Sequence, residues 1–158
     1  MQSATICEVL LCVGLTIALP GCDDTGEVPI ERTIHFVEHA DNKTVTDLGA
    51  MGDSVGDLLT FANPVFEQTN QSQVGTDQGY CVRVEVGKAW ECEWTLFVDK
   101  EGQISVSGPF FDEKGSRLSV TGGTNAFENA RGDMELRFRD TPAPKVEYDL
   151  IYNLNLNQ

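Results

Sequence analysis

Residues 80–98 read YCVRVEV-GK-AWECEWTLFV, two runs of β-prone residues on either side of Gly87-Lys88. Side chains that branch at Cβ or carry rings suit a pleated, half-buried surface. A Gly-Lys pair between such runs predicts a two-residue hairpin turn. Alternation then assigns faces: Cys81, Arg83 and Glu85 share one with Trp90, Cys92 and Trp94, while Val82, Val84, Val86, Glu91, Glu93, Thr95 and Phe97 share the other. With a two-residue turn, Cys81 faces Trp94 and Cys92 faces Arg83, so the cysteines are only diagonal neighbours. A direct disulfide needs a slip of two residues, to a four-residue turn over Glu85–Lys88. The expectation is a free Cys81 thiol.

The same grammar extends outward from this hairpin. Thr33–Ala40 alternates, with Ile34, Phe36 and Glu38 on one face and His35, Val37 and His39 on the other. Asp41–Asp53 reads as a polar, Gly-containing loop. Gly56–Phe66 reads as a strand broken by Pro64, and Glu67–Asp77 as a polar connection. Gln103–Phe111, Arg117–Thr121, Gly132–Arg139 and Val146–Leu154 complete the set, each bounded by Gly, Pro or Asp. No stretch shows helical periodicity. About eight short strands joined by turns predict an antiparallel barrel or a sandwich, and spacing alone does not choose between them.

Composition bounds the function. The chain has 158 residues, 41% of them hydrophobic, enough for one domain with a sizeable core. Eleven Lys and Arg against 25 Asp and Glu give a formal net charge of −14, which repels nucleic-acid phosphates and anionic lipid. Partners of those kinds are therefore excluded, apart from membrane contact through a lipid anchor.

Such an anchor is suggested by the N-terminus. Val9–Leu19 is an apolar run too short to span a bilayer as a helix and suited to a signal-peptide core. It ends at Leu19-Pro20-Gly21-Cys22, which resembles the lipobox of bacterial lipoproteins, where the Cys is lipidated. The segment before the run has no Lys or Arg and carries Glu8, so the alternative is that the run is not a true leader. The expected organisation is a signal peptide over residues 1–22, a tether over 23–32 and a domain over 33–158. The protein would be exported and either anchored through Cys22, in the periplasm or at the cell surface, or secreted. Asp23 after the Cys resembles an inner-membrane retention signal.

Removal of Cys7 and Cys12 with the leader, and anchoring at Cys22, leaves Cys81 and Cys92 in the domain. His35 and His39 are the only histidines. On one strand they would sit about 13 Å apart, too far to share a metal. Arg131-Gly132-Asp133 spells an integrin-type tripeptide, read here as the structural start of a strand.

From Gly56 to Leu136 a series of short motifs resembles the plant allene oxide cyclases. They are Gly56-Asp57-Leu58, Phe61-Ala62-Asn63, Val74-Gly75 leading to Gly79-Tyr80-Cys81-Val82, Gln103-Ile104-Ser105-Val106, Gly108-Pro109-Phe110, and Val120-Thr121-Gly122-Gly123-Thr124 leading to Phe127-Glu128. The stretch Gly122–Gly132 (GGTNAFENARG) is also similar to the dirigent pattern. The resemblance implies an all-β, antiparallel eight-stranded barrel around a deep apolar pocket. It implies a pocket acid at Glu38, a pocket-facing Cys81, a water-binding Asn63 and an aromatic channel wall at Trp90, with Phe61, Trp94 and Phe110 completing a substrate-binding surface. The alternative for Cys81, Trp90 and Trp94 is that they simply fill the core.

The sequence departs from the cyclase pattern at three places. The tyrosine expected after Gly108-Pro109 is Phe110, the Asn expected two residues after Glu38 is Ala40, and the next loop lacks a Ser-Pro pair. The resemblance implies a cofactor-independent isomerase or cyclase for a hydrophobic, unsaturated small molecule, with catalytic Glu38 and Cys81. A dirigent-like scaffold or a lipocalin-like barrel that only binds an apolar ligand is the alternative. The resemblance also implies a homo-trimer, a dimer being the alternative, with the Val82, Val84 and Val86 stripe as an outward apolar patch.

Overall fold

The computed structural model describes residues 30–156. It contains β1 (Ile30–His39), β2 (Lys43–Thr46), β3 (Leu58–Glu67), β4 (Gln73–Glu85), β5 (Ala89–Val98), β6 (Gly102–Phe111), β7 (Ser116–Asn125), β8 (Arg131–Phe138) and β9 (Glu147–Leu156). Every pairing is antiparallel, in the order β1-β9-β8-β7-β6-β5-β4-β3-β2, and an additional β1–β3 pairing closes the sheet. The architecture is a closed eight-stranded barrel, with β2 laid on the free edge of β3. Closure leaves no open sheet edge along most of the circuit.

Inward positions alternate as the pleat requires. Trp90, Cys92, Trp94, Leu96 and Val98 of β5 are buried, as are Tyr148, Leu150, Tyr152 and Leu154 of β9. One end of the barrel is closed by the β7–β8 turn, whose Phe127 and Ala130 are fully buried. The Arg32 guanidinium lies 5.4 Å from the Phe127 ring centroid and covers it. The other end, where β1 finishes and β9 begins, carries the candidate site.

Several sequence expectations are corrected. Strand β1 begins at Ile30, so residues 30–32 of the expected tether belong to the barrel. The loop after Asp41 contains β2, paired with residues 58–61 of β3. Pro64 does not break β3: it falls between the stretches of β3 that pair with β2 and with β1. The N–H of Ala62 points to that same edge, toward the Asn42 carbonyl, so the missing N–H of Pro64 removes no ladder bond.

Strand β4 starts seven residues before Tyr80, and the expected connection around Asp77 is strand. Gly75 and Gly79 hide this segment from pattern reading. Gly79 is required by close approach, because a Cβ there would lie 2.2 Å from the Trp94 Cβ. Gly132 holds φ 130° at the start of β8, where a Cβ would meet the Asn153 carbonyl oxygen at 2.0 Å.

The hairpin register is the largest correction. The β4–β5 loop is Val86-Gly87-Lys88, three residues, with a register shift between Arg83 and Glu85. The bulge at Val84 absorbs one residue and aligns Cys81 with Cys92. They form a disulfide with a Cα–Cα distance of 4.0 Å. Val82, Val84 and Val86 are exposed on the outer surface.

Candidate functional site

At the open end of the barrel lies a cavity of about 70 Å³. Its walls are mainly apolar, formed by Ala40, Leu59, Phe61, Cys81, Trp94, Phe110 and Tyr148. Polar atoms reach it from Glu38, Asn63 and, at the rim, Lys43. The Phe61 ring meets Trp94 edge-on at 5.6 Å. Phe110, Tyr148 and Phe138 form an edge-to-face aromatic group, with Phe110–Tyr148 at 5.9 Å and Phe138–Tyr148 at 5.1 Å. A volume of this size takes a small ring or the end of a chain, below the 300–1,000 Å³ typical of sites that enclose a drug-sized ligand.

Glu38 is the chemical centre of this cavity. It sits on the inward face of β1 after Ile34 and Phe36 and is only 5% exposed. Asn63 Nδ2 donates to Glu38 Oε1, and Asn63 Oδ1 accepts from the Asn42 backbone N–H at 2.9 Å. That backbone donor fixes the amide so that its NH₂ faces the acid. Burial pushes the Glu38 carboxyl up to about 7, against the smaller opposing effects of the Asn63 amide and the Lys43 charge. An acid with that proton affinity can serve as base or acid near neutrality.

Two buried groups that sequence reading missed lie close to Glu38. Asp77 of β4 is fully buried and faces Asn63 across the β3–β4 ladder. Burial, and then the Glu38 charge, raise its carboxyl well above the usual carboxylate range. Burial likewise pushes the Tyr148 hydroxyl up to about 12, aided by the charges of Glu38 and Asp112. Asp77 could have been found by parity, since residues 75, 77, 79, 81 and 83 alternate on one face once the strand is extended. Lys43, Leu59 and Tyr148 had no such signal, because only barrel closure brings β2, β3 and β9 to one mouth.

The structure brings Glu38, Phe61, Asn63, Cys81, Trp94 and Phe110 to the cavity. Two expected roles need correction. Cys81 is joined to Cys92 and offers a sulfur wall instead of a thiol. Trp90 does not line the cavity: its ring lies under the Arg83 guanidinium at 3.9 Å, and its Nε1 donates to Asp112 Oδ1 at 3.0 Å. Arg83 in turn pairs with Asp53 at 2.7 Å and Asp112 at 2.6 Å, closing that part of the barrel end. Cys22 lies outside the described residues. His35 and His39 point outward, toward Asp149 Oδ1 at 2.9 Å and Asn70 Oδ1 at 2.7 Å. Among the described residues no cluster of His, Cys, Asp or Glu has metal-binding geometry.

The barrel, its acid-bearing cavity and the ordered motifs converge on one family. Residues 34–153 match the allene oxide cyclase family. The chain belongs to the allene oxide cyclase family. Among solved structures, this family member is similar to a pyocyanin demethylase at 25% identity, over 78% of this chain and 100% of that one, with a TM-score of 0.59. A pterocarpan synthase dirigent protein shares the fold at 18% identity, over 82% of this chain and 87% of that one, with a TM-score of 0.65. A Diels–Alderase from Streptomyces koyangensis shares it at 9% identity, over 81% of this chain and 64% of that one, with a TM-score of 0.58. Family membership supports a cyclase-like role for the barrel and a small-molecule ligand.

Phe110 carries no hydroxyl, and Tyr148 from β9 packs edge-on against its ring and lines the same cavity.

Proposed function

We propose that the cavity binds part of a hydrophobic, unsaturated small molecule and holds it in one folded conformation while it isomerises or closes a ring. The observation that carries this reading is Glu38, an acid on the wall of an otherwise apolar cavity, oriented by Asn63. The aromatic mouth restricts how the chain can fold, and the Glu38 carboxylate stabilises positive charge that develops as the ring closes. Isomerisation conserves atoms and electrons, so this chemistry calls for no cofactor. Cys81 has no part in proton transfer, because its sulfur is in a disulfide.

The test is product analysis. The full chain is incubated with an unsaturated fatty-acid epoxide, and ring products and their enantiomeric ratio are compared between wild type and Glu38→Gln. Faster formation of one enantiomer, lost in the variant, supports the proposal. An unchanged product ratio with retained binding moves the protein to the second reading, a dirigent-like or lipocalin-like barrel that only binds. The capped Cys81 sulfur favours that second reading. Pyocyanin belongs in the same ligand panel, given the similarity to a pyocyanin demethylase.

We also propose that the protein is exported through its apolar N-terminal run and anchored at Cys22, with Val82, Val84 and Val86 contributing to a homo-oligomer.

A further inference from the structure

Tyr148 stands directly opposite Glu38 across the β1–β9 ladder. Cross-strand partners on one face have Cβ atoms about 5 Å apart, so the phenol ring rises beside the acid. Both residues line the cavity, and Tyr148 is 8% exposed. Its ring is held edge-on against Phe110 of β6 and Phe138 of β8, at 5.9 and 5.1 Å.

The hydroxyl on that ring is unclaimed by the protein. It makes no hydrogen bond to the described residues, and it is not among the interior side-chain atoms sealed off without a partner. It therefore keeps accessible surface at the cavity that the residue lines. The two carboxylates whose charges reach it, Glu38 and Asp112, take their hydrogen bonds elsewhere. Glu38 accepts from Asn63, and Asp112 accepts from Trp90 Nε1 and Arg83. The other donors of the cavity are less free to turn to a ligand. Asn63 is committed at both ends, to Glu38 and to the Asn42 N–H, and Lys43 is exposed at the rim. A phenol, with an ordinary pKa of about 10, carries its proton at neutral pH. A largely buried hydroxyl with no protein partner gains from an acceptor that a ligand brings in.

We propose that Tyr148 is the specificity residue of the cavity, donating a hydrogen bond to an uncharged oxygen of the ligand, a carbonyl conjugated with its unsaturated carbons. This rests on the small-molecule reading of the cavity and narrows it. The oxygen is uncharged because a carboxylate in that place would meet the Glu38 and Asp112 charges. Tyr148 and Glu38 then act on opposite ends of one charge separation. As a ring closes, the phenol O–H stabilises the oxygen that gains electron density, and the Glu38 carboxylate stabilises the carbons that lose it. The phenol keeps its proton, and no bond to the protein forms.

The test uses 2-cyclohexen-1-one and cyclohexene, rings of one size that differ by a conjugated carbonyl. Their dissociation constants for the full chain are measured by ligand-observed NMR at pH 8, where Glu38 is largely ionised and cannot itself donate. Tyr148→Phe keeps the ring and its packing and removes only the hydroxyl. The enone should bind this variant about fivefold more weakly than wild type, the value of one hydrogen bond of ordinary net strength. Cyclohexene should bind both proteins alike. The carbonyl stretch of the bound enone gives an independent reading: it should lie lower in frequency in wild type than in the variant. Enone binding and a carbonyl stretch unmoved by Tyr148→Phe overturn the donor role and leave the cavity reading intact. Equal weakening of both rings gives Tyr148 a packing role only and also overturns the proposal. Failure of both rings to bind wild type overturns the proposal and the cavity reading together.

Discussion

Cys81 and Cys92 stand directly opposite each other across β4 and β5 because β4 holds one extra residue, Val84, between that pair and the turn. A regular two-residue hairpin would have set Cys81 against Trp94. The three-residue loop moves the register by one residue and the bulge by one more, and together they decide whether the cavity wall presents a thiol or a disulfide.

Peptide mapping without reductant should therefore recover the peptides of Cys81 and Cys92 linked, with neither cysteine alkylated. Reduction, or Cys92→Ser, should lower stability by about 3 kcal/mol in urea unfolding. That figure follows from the entropy of closing a loop with a sequence separation of 11 residues. Alkylation of both cysteines in the unreduced protein would contradict the observed register.

Glu38 predicts a particular dependence of stability on pH. Its folded pKa is about 7 against an ordinary 4.5, so between those values the folded state binds more protons than the unfolded chain. Stability should fall as pH rises from about 4.5 to 7, and Asp77, whose carboxyl burial also raises, adds to the fall. Glu38→Gln removes the cost of burying the charge and should flatten this slope, gaining on the order of 3 kcal/mol at pH 8 and little at pH 4.5. Urea midpoints at pH 4.5, 6 and 8 check both the sign and the window.

The two tryptophans should respond differently to ligand. Trp94 lines the cavity, and Trp90 is enclosed by Arg83 and Asp112. Linolenic acid should quench fluorescence in Trp90→Phe and leave Trp94→Phe nearly unchanged. Equal quenching in both variants would place the ligand elsewhere.

Arg83 should matter to stability more than to binding. It joins the loop bearing Asp53 to Asp112 while stacking on Trp90. Arg83→Ala should cost about 2 kcal/mol, discounted for the partial exposure of both aspartates. Arg83→Lys should recover only part, since a compact ammonium cannot reach two acids and stack at once. Thermal unfolding of both variants, with linolenic acid binding as control, separates the two roles.

Export is tested by the intact mass of membrane-extracted protein. A chain starting at Cys22 and carrying a diacylglyceryl group is expected. Recovery of the whole chain from the cytosol would overturn the anchor.

Local alternation determined much of this protein without any tertiary information. The inward faces of β1, β5 and β9 follow from Phe36 and Glu38, from Trp90, Cys92 and Trp94, and from Tyr148 to Leu154, because successive strand residues point to opposite sides. The ordered glycine motifs carried the family, and with it the expectation that Glu38, Asn63 and Cys81 meet. What alternation could not set was register, since a single extra residue at Val84 leaves every local preference satisfied and still changes the cross-strand partners. Nor could it show Asp77, which is flanked by glycines whose only signal is the backbone packed against them. The meeting of Lys43, Phe110 and Tyr148 at one mouth depends on strands far apart in the chain, and barrel closure alone brings them together.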